Sequence, residues 1–142
     1  MMKKVVLGCL FCVLCIPLSS CDTDDGPNFH FTTLSVVEAN VPESFQLNQS
    51  YNIEVIYRRP DSCTFFEGFD VAKPEETERN ITVIGSVFTD DDACAQLTEE
   101  VSARFQFNVI FTGTYRFRFY TGQDEFGDAT FLEYTVPVED TN

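Results

Sequence analysis

Tryptophan is absent from this 142-residue sequence, histidine occurs once and methionine twice. A single histidine, His30, leaves little material for acid–base relays or imidazole-bound metals, and it stands in no motif. The G-x-S-x-G, H-E-x-x-H and P-loop patterns are all missing. Basic residues are also scarce, with nine Lys and Arg against 23 Asp and Glu and a net charge of −14. That excess opposes approach to nucleic acid and to anionic membrane surfaces, which excludes DNA and RNA as partners. No apolar run reaches the roughly 20 residues that a transmembrane helix needs. Aromatic carbon, by contrast, is plentiful: 15 Phe and five Tyr supply enough bulky apolar surface for the core of one small domain.

Met1 to Lys4 form a short positive segment, and Val5 to Pro17 an apolar run of 13 residues, the layout of a removable signal over 1–20. Leu18-Ser19-Ser20-Cys21 follows directly. These four residues resemble the lipobox of bacterial lipoproteins, a Leu and two small residues before an obligatory Cys. The resemblance implies cleavage before Cys21, a diacylglycerol on its thiol and an acyl chain on the new amine. Two or three chains on one residue anchor stably, at roughly 0.8 kcal/mol per buried CH₂. No other cofactor is expected. Asp22, Thr23, Asp24 and Asp25 come next, and they resemble the acidic export signal of Bacteroidota surface lipoproteins, which directs passage to the outer face of the outer membrane. The same residues also fit a solvated acidic spacer. With the signal gone, seven basic side chains stand against 23 acidic ones, a charge of −16. The expected organisation is a signal at 1–20, a lipidated Cys and acidic tether at 21–28, and one folded domain at 29–142. The tether reaches about 25 Å at roughly 3.3 Å per residue, so the domain sits close to the lipid.

Cys9, Cys12 and Cys15 fall in the signal and Cys21 carries the lipid, which leaves Cys63 and Cys94. In an oxidising compartment these pair with each other, closing a loop of about 30 residues. The alternative is two buried free thiols, and thiol titration of the unreduced, denatured protein separates the two.

Period-two alternation dominates the rest. Val101, Ala103, Phe105, Phe107 and Val109 share one side of a strand, and Tyr115 to Phe119 repeat the pattern after Thr112-Gly113-Thr114. An antiparallel hairpin is expected from these two. Tyr51, Ile53, Val55 and Tyr57 mark another strand, and further strands are expected at 29–38, 65–71, 80–88 and 130–138. The acidic stretch 89–100 leaves room for one short helical turn. Seven or so strands predict an all-β, antiparallel sandwich. Gly113-x-Tyr115-x-Phe117 resembles the start of a late strand in immunoglobulin-like domains, where a tyrosine hydroxyl bonds back to the backbone at a strand corner. Phe117 occupies the place of the usual second Cys, and no Trp is present to pin the core. The mature chain is also similar to small Bacteroidota lipoproteins with such a fold, a likeness that implies no particular activity.

Candidate sites are few. Asp90, Asp91 and Asp92, and Asp124, Glu125 and Asp128, are weak calcium candidates without EF-hand spacing, and they equally suit solubilising loops. Arg116, Arg118 and Tyr120 are expected on one outward face, and Phe126 at a loop tip, as possible binding residues. The plainer reading pairs both arginines with acids such as Glu133 and folds Phe126 back onto the sandwich. The functional expectation is a non-enzymatic envelope lipoprotein that binds an extracellular or periplasmic protein or glycan. A sandwich-type protease inhibitor and a carbohydrate-active or metal-dependent enzyme are the alternatives.

Overall fold

The computed structural model describes residues 26–90 and 93–140. The signal, Cys21, the Asp22, Asp24 and Asp25 tether, and Asp91 and Asp92 lie outside the described residues. Alternating apolar and polar side chains produce nine strands, and the described residues contain no helix. They are β1 (Phe29–Leu34), β2 (Val36–Asn40), β3 (Phe45–Gln46), β4 (Ser50–Arg59), β5 (Thr64–Ala72), β6 (Glu78–Phe88), β7 (Glu99–Asn108), β8 (Thr114–Gln123) and β9 (Ala129–Glu139). Six of them form one sheet in the order β1-β6-β8-β9-β3, with β5 on the other side of β6, and three form a second sheet in the order β2-β4-β7.

The apolar sides of the two sheets supply one core. Ile53, Val55 and Tyr57 of β4 and Phe107 of β7 meet Ile81 and Val83 of β6 and Tyr115, Phe117 and Phe119 of β8. Phe45 is fully buried at the centre of this layer, with its ring 4.7 Å from Tyr51, 5.5 Å from Phe107 and 5.9 Å from both Tyr115 and Phe117. Such tilted and edge-to-face rings add to the energy of burial itself. Gly85 permits close approach on β6, because a Cβ there would stand 2.9 Å from Leu34 Cδ1.

The structure departs from the sequence expectation in four places. First, β7 and β8 do not form a hairpin: β7 pairs with β4 from Ser50↔Asn108 to Arg59↔Glu99, whereas β8 pairs with β9 and β6. Both strands have one apolar side, and packing those sides face to face across the core buries more surface than placing them edge to edge. Second, the sandwich is not wholly antiparallel, since β6 with β8 and β3 with β9 are parallel pairs. Third, the expected 29–38 strand is two strands, because the chain crosses between sheets at Ser35, whose carbonyl accepts from the Arg58 amide at 2.9 Å. Fourth, the described part of 89–100 holds no helical turn.

Two local devices hold the strand ends. The Tyr115 hydroxyl, in a fully buried side chain, accepts the Phe111 amide at 2.9 Å, so the chain is fastened as it passes from β7 to β8. Cys63 and Cys94 are joined in a disulfide with Cα atoms 5.5 Å apart, and Ser62 beside it exchanges hydrogen bonds with Ala95. Opening the bridge by Cys63→Ser with Cys94→Ser is expected to remove about 3 to 4 kcal/mol of stability in urea titration, on loop-entropy grounds. Tyr115→Phe should lose about 1 kcal/mol in the same assay, because the partly buried Phe111 amide loses its acceptor.

Candidate functional site

The outward face of β8 places Arg116, Arg118 and Tyr120 in one row, as the alternation required. Neighbouring strands supply acids at matching register. Arg116 lies opposite Glu78 of β6 and Arg118 opposite Glu133 of β9. Arg116 Nη2 donates to Glu78 Oε2, and that bond with its attendant charge raises the Arg116 pKa above its already high ordinary value. Arg118 Nε donates to Glu133 Oε1 at 2.8 Å, its Nη1 stands 4.0 Å from Glu78, and its guanidinium lies 4.1 Å from the centre of the Phe131 ring. Tyr120 meets the same ring edge-on at 6.1 Å. Both arginines are therefore engaged in a cross-strand ladder, where partly exposed pairs each contribute modestly.

Phe126 behaves differently: it is 82% exposed and does not fold back on the sandwich. The loop that carries it is internally fastened. Asp124 Oδ1 accepts the amides of Phe126 and Asp128, both at 2.9 Å, the Asp124 amide donates to the Asp128 carbonyl, and Gly127 takes φ +86° to close the turn. A carboxylate bonded to its own loop in this way builds an Asx turn. Asp90 is likewise committed. Its two carboxylate oxygens accept the backbone and side-chain N–H groups of Asn28, each at 2.8 Å, and these bonds hold its carboxyl below the ordinary aspartate value. In the two loops considered for calcium, Asp90 and Asp124 thus have structural work, and among the described residues no three metal-binding side chains converge. His30 is exposed on β1, opposite Val87.

Two features escaped sequence reasoning. Arg79 is 4% exposed and lies on the core side of β6 in phase with Ile81 and Val83. Its Nη1 donates to the carbonyls of Glu75, Glu76 and Glu78 at 3.2, 2.8 and 2.7 Å, and its guanidinium sits 5.8 and 5.5 Å from the Phe107 and Tyr115 ring centres. It caps the 73–77 loop, and two shallow clefts of about 390 and 360 Å³ open beside it. The signal was an arginine in the apolar phase of a strand. At the other end of β6, Phe29, Phe31, Phe65 and Phe88 gather on the outward face of the larger sheet, next to a third cleft of about 420 Å³ lined by Ser62, Cys63, Phe65, Phe88 and Asp90. Here the signal was Phe29 and Phe31 standing out of phase with Leu34, the residue of β1 that enters the core.

The Asp90 clasp sets an expected acid response. Because its folded pKa is depressed, the clasp is intact above the unfolded value of about 3.9 and is lost as pH falls through the folded value. The protection of the Asn28 amide, measured as its exchange rate relative to the intrinsic rate at each pH, should fall over that acidic window, and Asp90→Ala should lower the protection at higher pH and remove this acid-induced fall. No protein-family model matches the chain, no curated protein matches it, and no solved structure matches its fold.

Proposed function

We propose that the chain is an envelope lipoprotein: a non-enzymatic sandwich tethered by lipid on Cys21, facing the cell exterior, and serving as a binding or accessory module for a protein or glycan. The observation that carries the reading is the Cys63–Cys94 bond. Among the cysteines beyond the signal it leaves only Cys21, and such a bridge belongs to an oxidising, extracytoplasmic compartment. The first strand begins eight residues after Cys21, which suits a domain held near its anchor. The immunoglobulin-like affinity rests on Tyr115, whose hydroxyl bonds back to the backbone four residues upstream, as at the tyrosine corner. The parallel β6–β8 pair is a departure from that topology. The non-enzymatic reading draws on the duties of the acids: Asp61 holds the amide of Cys63 and the hydroxyl of Thr64, Asp90 holds Asn28, Asp124 shapes a turn, and Glu78 and Glu133 hold arginines.

A second reading, a protease inhibitor, is favoured by one observation only. Phe126 projects from a loop already ordered by Asp124, and ordering in advance reduces the entropy cost of binding. Replacing 121–129 should then abolish inhibition of an envelope or host protease.

Protease shaving of intact cells tests the first reading. The native chain should be digested, Cys21→Ala should leave the membrane fraction, and the Asp22, Asp24, Asp25 triple Ala variant should be protected. A Cys21→Ala protein that stays with the membrane overturns the anchor, and a native chain that resists protease overturns the outward orientation.

A further inference from the structure

Three strands of the larger sheet turn phenylalanines outward at one end. Phe29 lies opposite Phe88, and Phe31 and Phe65 lie on either side of Ser86. Their rings form one cluster: Phe29 meets Phe31 at 5.4 Å and Phe88 at 5.8 Å, and Phe88 meets Phe65 at 5.4 Å. Phe29, Phe31 and Phe65 are 49%, 64% and 47% exposed. None of the four contributes to the core, so their burial against something else is still available, and clustered exposed aromatics mark contact surfaces. The acids beside the cluster are tied down, Glu67 by the Ser86 hydroxyl at 2.6 Å and Asp90 by Asn28.

Position identifies the occupant. Phe29 is part of the cluster and lies eight residues from Cys21, a span of roughly 25 Å when extended. The tether therefore joins the domain at the aromatic end of the sheet. Arg79 and its clefts lie nine residues along β6 from Phe88, roughly 30 Å away at strand spacing. We infer that Phe29, Phe31, Phe65 and Phe88 form a lipid-contact face that seats the domain on the bilayer carrying its anchor. The rings enter the boundary between headgroups and acyl chains, where aromatic side chains are favoured. The strongly acidic chain selects a zwitterionic surface over an anionic one. Seated in this way, the domain turns the Arg79 clefts away from the membrane. The inference rests on the anchored reading above.

The absence of tryptophan makes the test direct. Full-length lipidated protein carrying Phe31→Trp is reconstituted into phosphatidylcholine vesicles with and without brominated acyl chains. Phe65→Trp gives a second reporter on a neighbouring strand should the first variant fail to fold, and Ile110→Trp, beside the Arg79 clefts, reports the far end. The expected result is a blue-shifted emission for both patch reporters on reconstitution. Brominated lipid should quench them several-fold more than Ile110→Trp. Patch reporters that float with the vesicles but remain solvent-like overturn the lipid-contact face and leave the anchor standing. A blue shift without bromine quenching overturns it in favour of a second copy or another protein on the patch. Protein that does not float with the vesicles and shows no lipid mass overturns the anchored reading, and this inference with it.

Discussion

The packing of Phe45, Phe107, Tyr115 and Phe117 between the sheets is the contact on which the other features depend. Each ring comes from a different strand except the β8 pair, and the four lie within 6.3 Å of one another, centre to centre. The seam explains why a two-residue strand exists at all: β3 pairs with the end of β9 through Phe45↔Val138, and this holds the Phe45 ring in place. It also accounts for the separation of β7 from β8. Phe107 and Tyr115 must approach from opposite sheets, so the chain between them has to cross the sandwich, and the Tyr115 hydroxyl fastens that crossing to the Phe111 amide. Arg79 closes the same end, lying over the outer rings of the seam while it gathers the carbonyls of a loop.

Charge is organised around this core rather than pooled in a site. Glu54 is held below its ordinary pKa first by the Asn40 amide and then by Arg104, which ties β2 and β7 to β4. Arg59 with Glu99 adds a second tie between β4 and β7, and Arg116 with Glu78 and Arg118 with Glu133 do the same for β8 with β6 and with β9. In a chain so rich in acid, each of these arginines offsets local repulsion where two strands must lie side by side. This use of the arginines makes the β8 row a poor source of free binding anchors.

The molecule is also polar along β6. One end carries the outward phenylalanines, the Asn28–Asp90 clasp and the disulfide, and the other carries Arg79, the 73–77 loop and two clefts. Since β8 runs parallel to β6, the Phe126 loop leaves from the same end as the aromatic patch. A tether at the aromatic end would place the Arg79 clefts farthest from the membrane, and this gives the search for a partner a direction.

Alternation alone determined the strands at 51–57, 101–109 and 115–119, because period two is a local property of the chain and each of these strands has one buried side. Counting cysteines pointed to the Cys63–Cys94 pair with free thiols as the alternative, and the resemblance of Gly113-x-Tyr115 to a strand corner implied the backbone bond that the tyrosine makes. Sheet membership was not legible: an apolar side records that a strand is half-buried, but not which neighbour lies beside it or which sheet covers it. The parallel β6–β8 pair, the break at Ser35 and the two-residue β3 were all decided by tertiary packing. The same holds for the candidate sites. Sequence offered pairing of Arg116 and Arg118 with acids as one of two expectations, and only the register singled out Glu78 and Glu133; the gathering of Phe29, Phe31, Phe65 and Phe88 on one outward face arose only when three strands came together. Sequence determines what each segment can bury, whereas the shared surface between segments exists only after they have met.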